Sequence, residues 1–306
     1  MTRTQTLARS AFRAMGTEID VLASPDLPDD LLRRVQAWFT SVESHLSRFR
    51  RDSELSILNR SAGRPFLASW LLYRVLEDAL TAAEAATGLF DPTVLKNVRA
   101  AGYRKSFERF GPRPVRTSRT SPADHRAVRM LPGRCVVLQQ DVGIDLGGFA
   151  KGWTVDRCEA ILGSHPSWLV NAGGDLLARG PGPEGNGWLV GVEDPLLPGA
   201  DLFVLRVHDR AVATSSVIRR RWQTDTGEVA HHIIDPRTGR PAETDLASVT
   251  VIADSVAGAE VEAKVLLLLG RREAARRSEF TGVPAVLVSR DGEITFAAAA
   301  GAFIAS

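Results

Sequence analysis

The order of apolar runs in the second half of the chain constrains the fold most. Residues 168–171, 187–192, 202–207, 249–253 and 285–289 each read as a short strand. Several of these runs follow one another with no helical pattern between them, whereas a parallel pair needs a crossover of a dozen or more residues. Antiparallel pairing is therefore predicted, in an α+β order rather than a repeated βαβ unit. Residues 18–23 add an alternating, half-buried strand near the start. A helix is predicted to open at Asp29 or Asp30, with Leu31, Leu32, Val35, Trp38, Phe39, Val42 and Leu46 on its core face. A second is predicted from Ser69 to Thr87, stopped by Gly88, and a third from Ser255 to Leu269, stopped by Gly270. The fold class expected is α+β, with mixed, largely antiparallel sheets and packed helices. The chain shows no internal repeat.

Composition excludes several functions. With 306 residues and a formal net charge of +2, the chain is too weakly basic to imply nucleic acid by its charge. Residues 104–126 are rich in Arg, Pro and Ser, and residues 111–126 hold no interleaved aromatics, so an exposed loop is expected there. Residues 1–9 read as a flexible N-terminus, leaving residues 10–306 as a single domain. The two cysteines, Cys135 and Cys158, have no metal or redox spacing and are expected as reduced thiols. No apolar stretch reaches the length of a membrane span, and Met1–Arg13 holds no apolar segment or cleavage pattern. A cytoplasmic protein is expected.

The stretch with most chemistry is Asp145-Leu-Gly-Gly-Phe-Ala-Lys-Gly-Trp-Thr-Val-Asp156. Apolar runs at 136–138 and 142–144 predict a strand before it, and Ala150, Thr154, Cys158, Ile161 and Leu162 predict a helix after it, ended by Gly163. Gly147 and Gly148 let the backbone approach a ligand, a helix start offers N–H groups to phosphate, and Lys151 adds positive charge. This is the pattern of a site for an anionic ligand, although the spacing matches neither the dinucleotide-binding glycine fingerprint nor the P-loop. A strand-to-helix turn that merely requires glycine remains the alternative.

Six further stretches place glycine or proline beside a polar residue at an expected turn. They are Met15-Gly-Thr, Phe90-Asp-Pro-Thr-Val, Asn171-Ala-Gly-Gly-Asp, Glu193-Asp-Pro, Ala213-Thr-Ser-Ser and His232-Ile-Ile-Asp-Pro-Arg-Thr-Gly. The set, in this order, resembles the FAD:protein FMN transferases, the ApbE-like family, from about Phe12 to Gly270 and more weakly to the C-terminus. The resemblance implies a T-fold-like, two-lobed architecture with an FAD groove between the lobes. It implies a transferase that splits FAD at its pyrophosphate, moves FMN onto a threonine or serine hydroxyl of an acceptor protein and releases AMP, with magnesium normally assisting. By the same resemblance Met15, Leu89, Phe90, Asp91, Asp145, Gly147, Gly148, Lys151 and Ile233 would hold FAD, and Phe49 stands where the family usually has a tyrosine beside the flavin nucleotide. His232 has the intrinsic pKa of a general base for the acceptor hydroxyl. Asp235, three residues on, would orient that histidine or close the turn. His231 reads as a strand neighbour, and the Asp-Pro pairs at 91 and 235 also suit turn capping.

Two departures from the family pattern bear on function. The family's metal segment, Ala-Asp-x-x-x-Thr, reads Ala259-Glu-Val-Glu-Ala-Lys264 in this chain. Gly148 and Glu260 are the metal ligands the resemblance implies, whereas protonated Lys264 has donors and no lone pair. Glu260 and Lys264, spaced i, i+4, can pair on one helix face, with the ammonium in place of a magnesium ion and a catalytic role toward the phosphates. The family's Thr-Ser-Gly is Thr214-Ser-Ser in this chain. Two alternatives stay open: a hydrolase giving FMN and AMP, and an FAD-binding protein disabled at Lys264.

Overall fold

The computed structural model describes residues 7–24, 26–105, 117–118 and 120–305. Eight strands form one sheet whose spatial order is the chain order: Ala8–Ala14, Thr17–Ala23, Trp168–Ala172, Asp175–Arg179, Ala211–Ser216, Leu246–Ala253, Ala285–Ser289 and Ile294–Ala297. The registered neighbours pair antiparallel, as the spacing of the apolar runs predicts. Strand alternation explains how the middle of the sheet is buried on both faces. Trp168, Val170 and Ala172 pack with Val35, Phe39, Val155 and Leu162, while Leu169 points the other way, to Trp188, Val190, Leu205 and Val207. The latter four belong to an antiparallel hairpin, Trp188–Glu193 with Asp201–Val207, that covers the second face.

Two excursions of the chain from the sheet supply a second compact unit, Val42–Ala150 with Ser216–Thr244. The first unit comprises Met1–Ser41, Lys151–Ser215 and Asp245–Ser306. In the second unit Pro65–Leu67, Cys135–Leu138 and Val128–Leu131 form a three-stranded antiparallel sheet with Cys135–Leu138 in the centre. Helices Glu54–Arg60, Trp70–Ala85 and Leu95–Ala100 accompany it, as do the small hairpins Arg221–Gln223 with Val229–His231 and Ile234–Asp235 with Arg240–Pro241.

The long predicted helices form at Asp29–Leu46 and Trp70–Ala85. Ser69 caps the second, its hydroxyl accepting from the Leu72 N–H at 3.1 Å, an N-cap bond of the usual kind. The helix Val256–Thr281 runs past its predicted stop. Gly270, at φ 73° and ψ 166°, breaks it as predicted, but the chain re-enters helix because the Asp245 carboxylate accepts from the Arg271 N–H at 2.9 Å.

Three expectations are corrected, and a fourth, the exposed loop over 104–126, fits the part of it that is described. Residues 142–144 form no strand, only a single parallel bridge between Gly143 and Val94. The helix predicted from Ala150 to Leu162 is two short pieces, Ala150–Asp156 and Glu159–Leu162. It breaks where Asp156 turns its carboxylate to the Val256 and Ala257 N–H groups, at 2.6 and 2.9 Å, and so caps the late helix instead. Ala8 and Arg9, assigned to a flexible N-terminus, begin a sheet strand, while residues 1–6 lie outside the described residues. Within the predicted loop 104–126, residues 106–116 and 119 also lie outside them. The described remainder is tied down: Thr120 Oγ1 donates to the Gly239 carbonyl and Asn97 Nδ2 to the Ser121 carbonyl, each at 2.7 Å, and His125–Ala127 forms a 3-10 turn.

Candidate active site

In the second unit the glycine turn is held from behind by a buried ion pair. Asp145 Oδ1 accepts from the Gly147 N–H at 2.8 Å, and its Oδ2 meets Arg48 Nε at 3.0 Å. Both side chains are almost wholly buried, so each charge relies on the other. The Gly147 N–H is therefore spent on the turn itself. Arg48 also organises an aromatic group. Its guanidinium carbon lies 4.1 Å from the Phe49 ring centre and 4.5 Å from that of Tyr103, close enough for cation–π attraction to both. Its Nη1 donates to the Tyr103 carbonyl at 2.9 Å.

Tyr103 is the hub of this group. Its ring centre lies 5.8 Å from Phe49, 5.5 Å from Trp222 and 6.5 Å from His232, the last edge to face. Trp222 is fixed by its indole N–H, which donates to the Ala101 carbonyl at 2.9 Å. Phe49 is 41% exposed, a large apolar ring left open, and His232, the other ring against Tyr103, is half-buried. An exposed aromatic face over a fixed cation suits a planar, electron-poor ring, and an imidazole such as that of His232 can take a proton.

The aspartates of the Asp-Pro pairs at 91 and 235 are turned to local structure. Asp91 accepts from the Thr93 N–H at 2.7 Å, from the Thr93 hydroxyl at 2.6 Å and from the His125 N–H at 2.7 Å. Asp235 accepts from Arg237 through the backbone N–H, Nε and Nη2, at 2.7–3.2 Å. Of the two roles open to Asp235, the structure supports closing the turn, since its carboxylate faces Arg237. It thereby shapes the loop that carries His232. Leu89, Phe90 and Ile233 are buried, with Phe90 6.0 Å from Phe149.

In the first unit four charged side chains converge. The Lys151 ammonium pairs with Asp175 and lies 3.3 Å from Glu260 Oε1. Lys264 Nζ lies 3.2 Å from the same Oε1 and 3.1 Å from the Glu260 carbonyl oxygen, the i, i+4 pair predicted from the sequence. Glu260 Oε2 accepts from the Gly152 N–H at 3.1 Å. Gly152 is required here: a Cβ would lie 2.8 Å from both Ala257 N and Val256 C of the late helix. Burial pushes the Glu260 carboxyl up, but Lys151, Lys264 and the Gly152 N–H outweigh it and hold the group at about 2. Burial raises Asp175, further aided by Glu260 and opposed by Lys151. Burial also lowers Lys264, against the pull of Glu260. Lys151, expected to offer its charge to a pyrophosphate, is thus held between two carboxylates. Gly148 and Glu260, the implied metal ligands, fall in different units.

Met15 lies at the tip of the first hairpin in the first unit, with Gly16, at φ 52° and 72°, the signs a two-residue turn demands. A methionine at positive φ is strained, and such strain gathers at functional turns.

Residues 15–287 match the ApbE family. This chain belongs to that family. A relative from Treponema pallidum named FAD:protein FMN transferase is 33% identical over 286 residues, covering 86% of this chain and 78% of the relative. A Vibrio cholerae protein of the same name is 28% identical over 288 residues, covering 90% and 85%. The crystal structure of the ApbE protein from Thermotoga maritima matches with a TM-score of 0.88 at 25% identity, covering 98% of this chain and all of that one. The α+β expectation, with largely antiparallel sheets, is borne out. In this ApbE-family chain, Arg48, Tyr103, Trp222 and Asp175 are site neighbours that sequence reasoning gave no role. Arg48 directly precedes Phe49 and Asp175 ends the Asn-Ala-Gly-Gly-Asp turn, which are the signals that could have found those two.

Proposed function

We propose that this chain transfers FMN from FAD to a threonine or serine hydroxyl of an acceptor protein and releases AMP. The observation that carries the reading is the relative named FAD:protein FMN transferase, 33% identical across 86% of the chain. The aromatic group around Tyr103 supports it, because an open ring and a histidine both pack on that tyrosine. The acceptor oxygen attacks the phosphorus that carries the riboflavin group. The bond from that phosphorus to the bridging oxygen breaks, and the bridging oxygen leaves with AMP. His232 takes the hydroxyl proton, which passes on to the leaving phosphate or to solvent. Phe49 stacks on the flavin, with a bare ring where relatives use a hydroxyl. Gly148 offers its backbone N–H at the pyrophosphate, while Leu89, Phe90 and Ile233 form the apolar floor. Asp91 and Asp145 act through the turns they hold.

Among the described residues no helix is long and apolar enough to cross a membrane. A cytosolic acceptor, with no nucleic-acid partner, goes with the cytoplasmic location expected from the sequence, and cell fractionation tests it. The reaction is tested by incubating the protein with FAD and a candidate acceptor. The expected result is an intact-mass gain of one FMN group on the acceptor and an equal amount of AMP. AMP without the mass gain would make the protein a hydrolase, and neither product would refute transfer.

A further inference from the structure

Both oxygens of the Glu260 carboxylate are already engaged. Oε1 is shared by two ammonium groups, Lys151 at 3.3 Å and Lys264 at 3.2 Å, and Oε2 holds the Gly152 N–H at 3.1 Å. The neighbouring carboxylate, Asp175, is paired with Lys151. Two lysines and two carboxylates leave no net negative charge to attract a cation. Magnesium requires a near-octahedral shell of oxygens at short range and is usually held through one or two carboxylates. Among the described residues no group of three or more His, Cys, Asp or Glu could hold a metal ion. The residues of this segment therefore do not fit the magnesium ion that the resemblance implies.

We propose that Lys264, braced between the side chain and the carbonyl of Glu260 and set beside Lys151, is this chain's own permanent cation, so that FAD is bound without a divalent metal. This rests on the transferase reading for the identity of the ligand. An ammonium on a helix needs no ion from solution. It delivers a single charge rather than two, and it is held in place by the 3.1 Å bond to its own helix. It also cannot be stripped by a chelator. The Lys264 side chain is 15% exposed, so it is not sealed off from solvent.

Three measurements on the full chain test this. Calorimetric titration of magnesium chloride into metal-free protein is expected to show no binding, and a site with a Kd tighter than about 0.1 mM would overturn the proposal. FAD titration in a chelator and in millimolar magnesium is expected to give the same affinity within about threefold, and a gain of about tenfold or more in magnesium would overturn it. Lys264→Met keeps the stem and removes the charge. It is expected to weaken FAD about tenfold or more while leaving riboflavin unaffected. Unchanged FAD affinity in a folded Lys264→Met protein would overturn the lysine's role. Should that variant fail to fold, the two titrations of the unaltered protein decide. Glu260→Asp with Lys264→Thr is expected to gain a magnesium-dependent FAD affinity, and magnesium indifference in that folded double variant would count against the proposal. Loss of flavin transfer to every acceptor, with FAD binding unaffected by magnesium, would refute the transferase reading and leave this inference standing. Transfer that requires magnesium would do the reverse.

Discussion

Gly152→Ala tests how closely residues 151–156 and the late helix approach each other. A Cβ at 152 would meet Ala257 N and Val256 C at 2.8 Å and Val256 O at 2.9 Å. Ordinary carbon contacts lie at about 3.5–4.0 Å, so the two backbones must part by roughly 0.7 Å or more. They are not free to do so, because the Val256 and Ala257 N–H groups are bound to Asp156 at 2.6 and 2.9 Å. Overpacking of this kind costs about 1–3 kcal/mol. Separation also stretches the 3.1 Å bond from the Gly152 N–H to Glu260. A hydrogen bond to a charged group is worth about 1.5–3 kcal/mol. The better helix propensity of alanine returns about 1 kcal/mol. The expected net loss is about 1.5–5 kcal/mol. With an unfolding entropy of roughly 2.1 cal/mol/K per residue, that is a fall in Tm of about 2–8 °C for a chain of this length. Gly301→Ala is the control, since nothing lies within 4 Å of a Cβ there, and its stability should stay within about 0.5 kcal/mol of the parent. Scanning calorimetry with urea unfolding gives both values. A Gly152→Ala protein as stable as Gly301→Ala would refute the close contact and, with it, the anchoring of Glu260.

His232→Ala is expected to slow flavin transfer by about 10²–10⁴-fold with FAD affinity nearly unchanged, read by single-turnover assays; normal single-turnover transfer would remove it as the base. Arg48→Met leaves Asp145 as an uncompensated buried charge and should cost about 3–5 kcal/mol in urea unfolding, partly recovered by adding Asp145→Asn. An additive double variant would show that the 3.0 Å pair is not coupled. Burial, with Asp156 nearby, pushes the Cys158 thiol well up, so Cys135, which is only half-buried, should react first with a thiol reagent at mildly alkaline pH. Mass spectrometry of the labelled peptides checks the order, and Cys158 reacting as fast would contradict it.

The periodic parts of the fold were readable because their signals are local. Val35, Phe39, Val42 and Leu46 fall on one helical stripe, and all four are buried. Gly270 breaks the helix where expected, since its φ of 73° suits no other residue well. The strands Ala8–Ala14 and Ala211–Ser216 were missed because small and polar residues give them little alternation, and the sheet supplies their burial. The site divided in the same way. The Glu260–Lys264 pair was legible, because residues four apart on a helix are neighbours. The arrival of Lys151 and Asp175 was not, because those contacts span 109 and 24 residues and depend on Gly152 letting two helices touch. Asp91 and Asp235 looked like site acids, and each was taken by N–H groups within its own turn.

The sheet's chain-ordered layout shapes how the protein can be made. Thr17–Ala23 pairs with Ala8–Ala14 on one side as soon as both are synthesised, but its other side waits for Trp168–Ala172. Some 145 residues of chain separate Ala23 from Trp168. At ~5–20 residues per second, a ribosome needs roughly 7–30 s to produce them. Through that interval the nascent hairpin carries an open strand edge, a template for pairing with other chains. Closing the loop afterwards costs about 4 kcal/mol in chain entropy. A prefolded second unit would shorten the effective loop, since the sequence between these two strands supplies most of it. Early folding of residues 42–150 would then act as an internal chaperone for the first sheet.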